Sequence, residues 1–383
     1  MNTTTLRAWR ATCALALLGC TPSAPMMMMD TDGGTSPGPA TDPSDATSVS
    51  YRDDLAAHPG CTTEGLGYQA AVLPGYRCAA RDFSTELGGT DAPGAPVVLL
   101  VHGNSDAPDS WMAYAPETPC TDEGGNPRVG ATENAPMLAE RLVSAGVRTY
   151  AVDLRFDRVD DPATNNETEN AAKNMDHGWA VPITQHFIRS AMEAHPDRRF
   201  VILGFSLGVT VARDALRRLA VNDGFDVFSR LDHAIYLAGA NHGVSSFALC
   251  GSNPTMRGRV ACEMGNRAAF APTDFLRPLN GAEGEYETPC ADGESAFGLE
   301  GACGGNTVQY TTIVMEDLPG GEQQDLFVSE ASSALRGADN RTIGLNDVDE
   351  SNYFFCGLFR NHYGAARSEA ALEVVRQALG IGG

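Results

Sequence analysis

The pattern G-x-S-x-G centred on Ser206 is the part of this sequence that best fits a chemical reaction, because a serine hydroxyl can act as a nucleophile. An apolar run at 200–203 precedes it, and a helix-compatible segment at 209–220 follows it. A strand, a tight turn and a helix in this order predict a nucleophile elbow, which exposes the serine hydroxyl above a sheet. We expect Gly204 and Gly208 to give room where the strand reverses into the helix, and Ser206 to have a strained backbone.

A serine nucleophile needs a general base to take its proton and an acid to orient that base. On a sheet with such an elbow, these residues follow one another in the order serine, acid, histidine. His362 is the only histidine that lies beyond the predicted strand at 308–314, so it is the candidate base. The alternative for His362 is an exposed loop histidine without a catalytic role. Glu316, Asp317 and Asp325 follow the same strand and are the candidate acids.

The negatively charged oxygen of a tetrahedral intermediate needs N–H donors that are already in place. One donor is expected from Leu207, the residue after the nucleophile. The other is expected from the loop after the first buried strand, where Gly103 lets the backbone approach closely and Asn104 supplies the N–H. We expect His102 to hold this loop in place rather than to titrate in catalysis.

Strand-like and helix-like segments alternate along the chain. Strands are predicted at 96–101, 147–153, 200–203, 233–238 and 308–314, and helices at 135–145, 183–194, 209–220 and 368–379. This alternation predicts an α/β fold with a mostly parallel central sheet and helices on both faces. Three stretches rich in Gly, Pro, Asp and Asn interrupt it, at about 105–134, 155–180 and 248–305. They are predicted to be long loops that shape the site or decorate the surface.

The charge of the chain excludes some partners. The formal net charge is -22 at pH 7, and binding of nucleic acid phosphates needs clustered Lys and Arg. Nucleic acid is therefore not expected as a partner, and anionic membrane surfaces should repel the domain. No C-x-x-C pair for zinc and no EF-hand spacing for calcium are present, so no metal or cofactor is predicted. No protein partner is evident.

The N-terminal residues predict export. Two arginines precede an apolar run at 11–18, as in a signal peptide. The run ends in Leu-Leu-Gly-Cys, which resembles a bacterial lipobox and predicts lipidation of Cys20; the alternative is plain secretion. The signal would occupy 1–19, a disordered polar tether 20–55, and the α/β domain 56–383. No later stretch is apolar enough to span a bilayer, so a cell-envelope lipoprotein would be attached by lipid alone.

Eight cysteines lie beyond Cys20. An even number in an exported protein predicts disulfides within the long loops. Proximity along the chain suggests the pairs Cys61–Cys78, Cys250–Cys262, Cys290–Cys303 and, by what remains, Cys120–Cys356. The Cys61–Cys78 disulfide would link the two strands of an extra hairpin in the segment 56–94.

Five short motifs carry a family resemblance. They are Val101-His-Gly, Gly204-Phe-Ser-Leu-Gly, Leu237-Ala-Gly-Ala-Asn-His-Gly, Tyr310-Thr-Thr-Ile followed by Asp325 and by Gly337-Ala-Asp-Asn, and His362-Tyr-Gly. Together they resemble α/β-hydrolases of the bacterial secreted lipase and esterase type, including the compact lidless lipases. The resemblance covers about 95–383 and implies the α/β-hydrolase fold. In the compact lipases the acid lies a fixed short distance before a Gly-Ala-x-Asn turn, which favours Asp325 and leaves Asp317 as the second choice.

The resemblance implies a carboxylic ester hydrolase, a lipase or esterase, that acts on an ester or lipid substrate through an acyl-enzyme. A polyester depolymerase would use the same chemistry. The alternative of another class is a non-catalytic surface lipoprotein that binds a ligand. An amidase or peptidase is disfavoured, because nothing indicates a charged specificity pocket. Phe205, Leu207, Phe247 and Phe354 are candidates to line an acyl site, although such residues more often belong to the core.

Overall fold

The computed structural model of the chain describes residues 66–103, 106–112, 136–154, 180–244, 276–321, 323, 325, 327–344 and 359–381. The predicted signal at 1–19, the tether at 20–55 and the lipidation site Cys20 lie outside these residues. Large parts of the three long loops also lie outside them.

The strands of the described residues form one seven-stranded sheet and a separate two-stranded hairpin. Their bounds are Ala80–Asp82 (β1), Val97–Val101 (β2), Arg148–Val152 (β3), Phe200–Phe205 (β4), Leu231–Leu237 (β5), Ser295–Ala296 (β6), Leu299–Glu300 (β7), Gln309–Met315 (β8) and Asp339–Ile343 (β9). The order in the large sheet is β1-β3-β2-β4-β5-β8-β9. Strand β1 is antiparallel to β3, and the other neighbouring strands are parallel. The prediction of a mostly parallel sheet is confirmed.

Helices lie between these strands and after the last of them. Their bounds are Phe83–Glu86 (α1), Leu138–Ser144 (α2), Ala180–Ala194 (α3), Leu207–Val221 (α4), Arg277–Asn280 (α5), Glu330–Ser333 (α6), Phe359–Arg367 (α7) and Glu369–Ala378 (α8), with 3-10 turns at Pro108–Trp111 and Phe228–Arg230. None of the helices in the described ranges has the length and apolar character needed to cross a membrane.

Each face of the sheet packs against its own group of helices. In strand β2, an inner strand of the sheet, Val97, Leu99 and Val101 join a core with α3 and α4. Val98 and Leu100 point to the opposite face and join a second core with α2, α7 and α8. Side chains alternate between the faces of a strand, so a strand buried on both sides must be apolar throughout, as β2 is. The expected helices on both faces are confirmed.

The parallel strands end at one edge of the sheet, where the predicted site residues gather. The register pairs Val101 with Gly204 and Phe205 with Leu237, so β2, β4 and β5 end side by side. Strand β8 continues this edge, because Leu237 pairs with Ile313. The loops after these four strands therefore share one surface, the carboxyl edge of the sheet.

Two edge strands were not predicted from the sequence. Strand β1 pairs antiparallel with β3, and its Arg81 also bridges Ala70. This single bridge lies in the segment 56–94, where an extra hairpin was expected, and Cys61 of that hairpin lies outside the described residues. Strand β9 extends the other edge of the sheet beyond β8. The helix predicted at 135–145 is shorter and begins at Leu138.

One of the predicted disulfides is present. Cys290 and Cys303 are bonded and enclose the β6–β7 hairpin. Cys78 is also in a disulfide, and its expected partner Cys61 lies outside the described residues. The remaining two predicted pairs, Cys120–Cys356 and Cys250–Cys262, fall outside them as well.

Candidate active site

Ser206 lies in the turn between β4 and α4, at the carboxyl edge of the sheet. Its backbone has φ 54° and ψ -125°, a left-handed φ that residues with a side chain rarely adopt. The Ser206 N–H donates to the carbonyl of Leu237 at 2.9 Å, which ties the turn to β5. The turn thus has the strained strand-to-helix geometry that the sequence predicts for an elbow.

The two glycines of the motif occupy places where a side chain would collide with backbone. A Cβ on Gly208 would lie 2.4 Å from the carbonyl oxygens of both Val101 and His102. A Cβ on Gly204 would lie 2.9 Å from Cα of Val209. Both distances are shorter than real Cβ contacts, so the expected steric role of the glycines is confirmed.

A series of hydrogen bonds joins Ser206, His362 and Asp325. Nε2 of His362 lies 2.8 Å from Oγ of Ser206, and Nδ1 lies 2.9 Å and 2.8 Å from the two carboxylate oxygens of Asp325. A carboxylate can only accept, so the imidazole proton lies on Nδ1 and Nε2 accepts from the serine hydroxyl. The structure therefore brings together three predicted residues in the order that activates a serine.

The carboxylate of Asp325 is buried and held by backbone donors. Its Oδ1 accepts the N–H of Phe327 at 2.8 Å and that of Val328 at 3.1 Å. Asp317, the second-choice acid, bonds elsewhere, because its Oδ2 accepts the N–H of Glu330 at 3.2 Å. The N–H of Asp317 in turn donates to the Glu330 carboxylate at 2.5 Å. The structure thus places Asp325 rather than Asp317 against the histidine.

His362 lies on helix α7, directly before the C-terminal helix α8, and is only 4% exposed. Its burial excludes the alternative of an exposed loop histidine. The rings of Phe205 and Phe327 each lie with their centroids 5.0 Å from the imidazole. These apolar neighbours shield the hydrogen bonds of His362 from water, which strengthens them.

His102, at the end of β2, is fully engaged in holding two loops. Its Nε2 accepts the N–H of Leu154 at 2.8 Å, so its proton lies on Nδ1, which donates to the Gly103 carbonyl at 2.9 Å. The side chain is 1% exposed. The expectation that His102 fixes the loop after β2 is confirmed, and the bond to Leu154 joins that loop to the end of β3.

Comparison with known proteins gives only distant structural similarity. No protein-family model and no curated protein matches the chain. Among solved structures, the mature lipase BlEst2 of Bacillus licheniformis is similar with a TM-score of 0.42 and 13% identity, over 76% of this chain and 94% of that one. Lipase B of Aspergillus fumigatus has a TM-score of 0.42 and 17% identity, over 75% and 53% of the two chains. The carboxylesterase CesB of Bacillus subtilis has a TM-score of 0.31 and 13% identity, over 76% and 86%.

The chain has the α/β-hydrolase fold. Its parallel sheet carries a sharp strand-to-helix turn after the central strand β4, one antiparallel strand lies at the edge, and Ser206, Asp325 and His362 follow in that order along the chain.

Leu207 is the first residue of α4, so its N–H points out of the helix N-terminus and is not used inside the helix. The positive end of the helix dipole lies at the same place. The N–H of Leu207 is therefore suited to the oxyanion role predicted for it. Asn104, the second predicted donor, lies outside the described residues, and Gly103 is the last described residue before it.

An apolar wall lies beside the serine. Leu207 and Phe327 are half-buried and pack against a small cluster of buried aliphatic side chains, which are Ala240, Val244, Val314 and Val328. This cluster is separate from the two cores. Phe205, in contrast, is a core residue beneath the histidine, and Phe247 and Phe354 lie outside the described residues.

A buried arginine that the sequence reasoning missed joins α7 to the loop after β2. Arg367, five residues after His362, donates to the carbonyls of Ser110 and Met112. Nothing in the local sequence signals this contact, because its partners lie far away along the chain. Within the ranges that the structure describes, no group of His, Cys, Asp and Glu side chains could hold a metal ion.

Proposed function

We propose that this protein is a serine hydrolase that cleaves carboxylic esters through an acyl-enzyme. The proposal is supported above all by one observation, the hydrogen-bonded series from Ser206 Oγ through His362 to the buried Asp325. The strained turn adds to it, because it presents the hydroxyl at the carboxyl edge of the sheet.

In this mechanism His362 takes the proton of Ser206 as the hydroxyl oxygen attacks the ester carbonyl. Asp325 keeps the proton of the imidazole on Nδ1 and stabilises the imidazolium that forms. The N–H groups of Leu207 and Asn104 bind the negatively charged oxygen of the intermediate. The imidazolium then protonates the leaving alcohol, and the same histidine activates a water molecule that hydrolyses the acyl-enzyme.

The apolar wall supports a lipase or esterase specificity. Leu207 and Phe327 present apolar surface close to the serine, and both are backed by the aliphatic cluster of Ala240, Val244, Val314 and Val328. An acyl chain that packs on this wall would bury apolar area, which contributes about 25 cal/mol for each Å². We therefore assign the wall to the acyl part of the substrate.

The test is hydrolysis of p-nitrophenyl esters from short to long acyl chains by the oxidised protein. We expect turnover and covalent labelling by a fluorophosphonate, and we expect both to disappear in Ser206→Ala. The control is Ser144→Ala, since Ser144 is exposed on α2 and bonds only its own helix. Folded wild type that neither turns over any ester nor reacts with the fluorophosphonate would exclude the proposal.

We also infer that the protein is exported and anchored through a lipid on Cys20, on the strength of the Leu-Leu-Gly-Cys sequence. The test is metabolic labelling with a radioactive fatty acid in a bacterial host. Label on the wild type that is absent from Cys20→Ala is expected. Equal absence of label from both proteins would contradict the lipid anchor.

A further inference from the structure

The turn after β5, residues 238–243, contains the Ala-Gly-Ala-Asn-His-Gly motif, and none of its residues belongs to the hydrogen-bonded series at the serine. The turn is sharply bent, because Ala238 has φ 46° without being a glycine. Asn241 lies at its centre and is 1% exposed. A buried amide must find hydrogen-bond partners, since an unpaired one costs about 1–3 kcal/mol.

On one side, this turn binds the helix that follows the acid. Nδ2 of Asn241 donates to the carbonyl of Ser333 at 2.6 Å, and the N–H of His242 donates to the carbonyl of Ser332 at 2.9 Å. The hydroxyl of Ser332 donates in return to the carbonyl of Gly243. Ser332 and Ser333 are the last two residues of α6. Three hydrogen bonds therefore join the turn after β5 to α6.

Helix α6 and the acid form one compact unit. Asp325 accepts backbone N–H groups from the residues just before the helix, including Val328. The hydroxyl of Ser329 caps the helix by accepting the N–H of Ser332 at 3.2 Å. Asp317, just after β8, binds the first helical residue, Glu330, in two ways: its carboxylate accepts the N–H of Glu330, and its own N–H donates to the Glu330 carboxylate. A shift of α6 would therefore move the carboxylate of Asp325 with it.

On the other side, Asn241 binds the helix that follows the serine. Nη1 of Arg213 donates to Oδ1 of Asn241 at 3.2 Å, and Nη2 donates to Oδ1 of Asn280 at 2.8 Å. Nδ2 of Asn280 donates to the carbonyl of Asn241 at 2.8 Å. Burial lowers the pKa of Arg213 from its ordinary value, as expected for a guanidinium held away from water. Arg213 belongs to α4, whose first turn follows Ser206.

We propose that Asn241 is a positioning residue for the acid: it fixes α6 relative to α4 and so holds Asp325 at hydrogen-bonding distance from His362. The inference rests on the proposed function. Asn241 contacts both helices through the two ends of one planar amide, and a hydrogen bond of this kind constrains its two atoms to a narrow range of distances. An apolar side chain of similar size could fill the same space but would not set that spacing.

The first variant is Asn241→Asp. It keeps the shape and the oxygen that accepts from Arg213, but it replaces the Nδ2 donor by an oxygen that repels the carbonyl of Ser333. We expect kcat for p-nitrophenyl esters to fall about 10- to 100-fold, as for a misplacement of a catalytic group by about 1 Å. KM should stay within about twofold, because Asn241 is buried and is not one of the residues of the apolar wall assigned to the substrate.

The matched control is Gln185→Glu. Gln185 is also a buried amide: its Oε1 accepts from Nε of Arg218 on α4 at 3.0 Å, and its Nε2 donates to Asp223 at 2.6 Å rather than to the turn after β5 or to α6. Both variants turn a buried amide beside an arginine of α4 into a carboxylate, so a general effect on packing or charge should appear in both. We expect Gln185→Glu to lower kcat less than about threefold, at a comparable loss of thermal stability. An equal fall of kcat in the two variants would overturn the proposal.

A second readout does not depend on turnover. The proton on Nδ1 of His362, which faces the carboxylate of Asp325, is expected to give a downfield resonance in the NMR spectrum of the folded protein. We expect it to shift or broaden in Asn241→Asp and to stay in place in Gln185→Glu. If Asn241→Asp does not fold, Ser332→Ala removes another bond of the same contact and should also shift the resonance. An unchanged resonance in the folded variant would refute the inference.

Different results would refute the proposed function and the positioning role of Asn241. Absence of Ser206-dependent turnover in wild type would remove the proposed function, and the resonance of His362 would still report whether Asn241 positions Asp325. Turnover in wild type with an unchanged kcat in Asn241→Asp would leave the function standing and remove the positioning role.

Discussion

Replacement of Asp325 by asparagine tests the catalytic reasoning most directly. In the structure, Oδ1 of Asp325 accepts the N–H groups of Phe327 and Val328, and the carboxylate faces Nδ1 of His362. In Asp325→Asn the two backbone donors would retain the amide oxygen, so the NH2 group would face Nδ1. An NH2 group donates, which favours the tautomer with the proton on Nε2. That proton would point at Ser206 Oγ, and the base could no longer accept.

The size of the effect follows from this loss of the correct tautomer. The same change in a serine protease triad lowers kcat about 10⁴-fold, which corresponds to about 5.5 kcal/mol of transition-state stabilisation. We expect a fall of this order, with KM changed little, because Asp325 lies behind the histidine and does not contact the substrate. The assay is the hydrolysis of a p-nitrophenyl ester under saturating substrate, with thermal unfolding recorded for each variant.

The matched control is Asp317→Asn, at the other carboxylate that the sequence offers as the acid. Its Oδ2 accepts from the N–H of Glu330, and an asparagine oxygen can retain that bond, so we expect kcat within about threefold of wild type. A fall of less than about tenfold in Asp325→Asn would refute the tautomer argument. A fall as large in Asp317→Asn as in Asp325→Asn would refute the assignment of the acid.

Two further predictions concern stability. Burial disfavours the charged form of Glu287, but bonds from His242 and from the N–H of Arg336 outweigh it, so the pKa of Glu287 lies below its ordinary value of 4.5. A lowered pKa stabilises the fold above about pH 4.5 and ceases to do so as the pH falls through the native value. Urea unfolding at pH 7 and pH 4 should therefore show a smaller difference in Glu287→Gln than in wild type, and an equal difference would contradict the assignment. The Cys290–Cys303 bond closes a loop with a sequence separation of 13, which contributes about 3 kcal/mol in the chain-entropy model. The double variant Cys290→Ala/Cys303→Ala should unfold at correspondingly lower urea, and an unchanged midpoint would mean that the hairpin is held by its other contacts.

The elbow and the parallel sheet could be predicted because their signals are local. Strand β2 is buried on both faces and therefore apolar at every position, and β4 is followed within a few residues by its glycine turn and α4. Gly208 is required by the backbone of Val101, and that close approach is built into the motif. The choice of Asp325 over Asp317 needed the family resemblance, since both carboxylates follow β8.

The edge strand β9 and helix α7 escaped prediction because their stability is not local. Strand β9 has the sequence Asp-Asn-Arg-Thr-Ile and is mostly exposed, so it is held by its pairing with β8 rather than by an apolar pattern. Helix α7 contains Gly364, and its first three residues include Phe359 and Asn361, which are modest helix formers. Burial of the following alanines against the second core stabilises it.

The hydrogen bonds around Asn241 and Arg213 could not be predicted from the sequence for a similar reason. The bond from Asn241 to Ser333 spans 92 residues, and that from Arg213 to Asn280 spans 67. No periodicity or spacing links positions so far apart. The motif around Asn241 could be recognised by resemblance, but its partners could be found only once the sheet had brought β5 and β8 together.

The strained backbone at Ser206 has a consequence for the folding stability of this chain. A non-glycine residue at φ 54° costs about 1–3 kcal/mol, and a glycine in its place would release that strain. Most proteins are only a few kcal/mol more stable than needed, so such a gain is large. A lineage that had stopped using the hydroxyl would thus drift towards greater stability by losing it. The serine hydroxyl at this bend therefore carries a cost in folding stability, which the proposed reaction would explain.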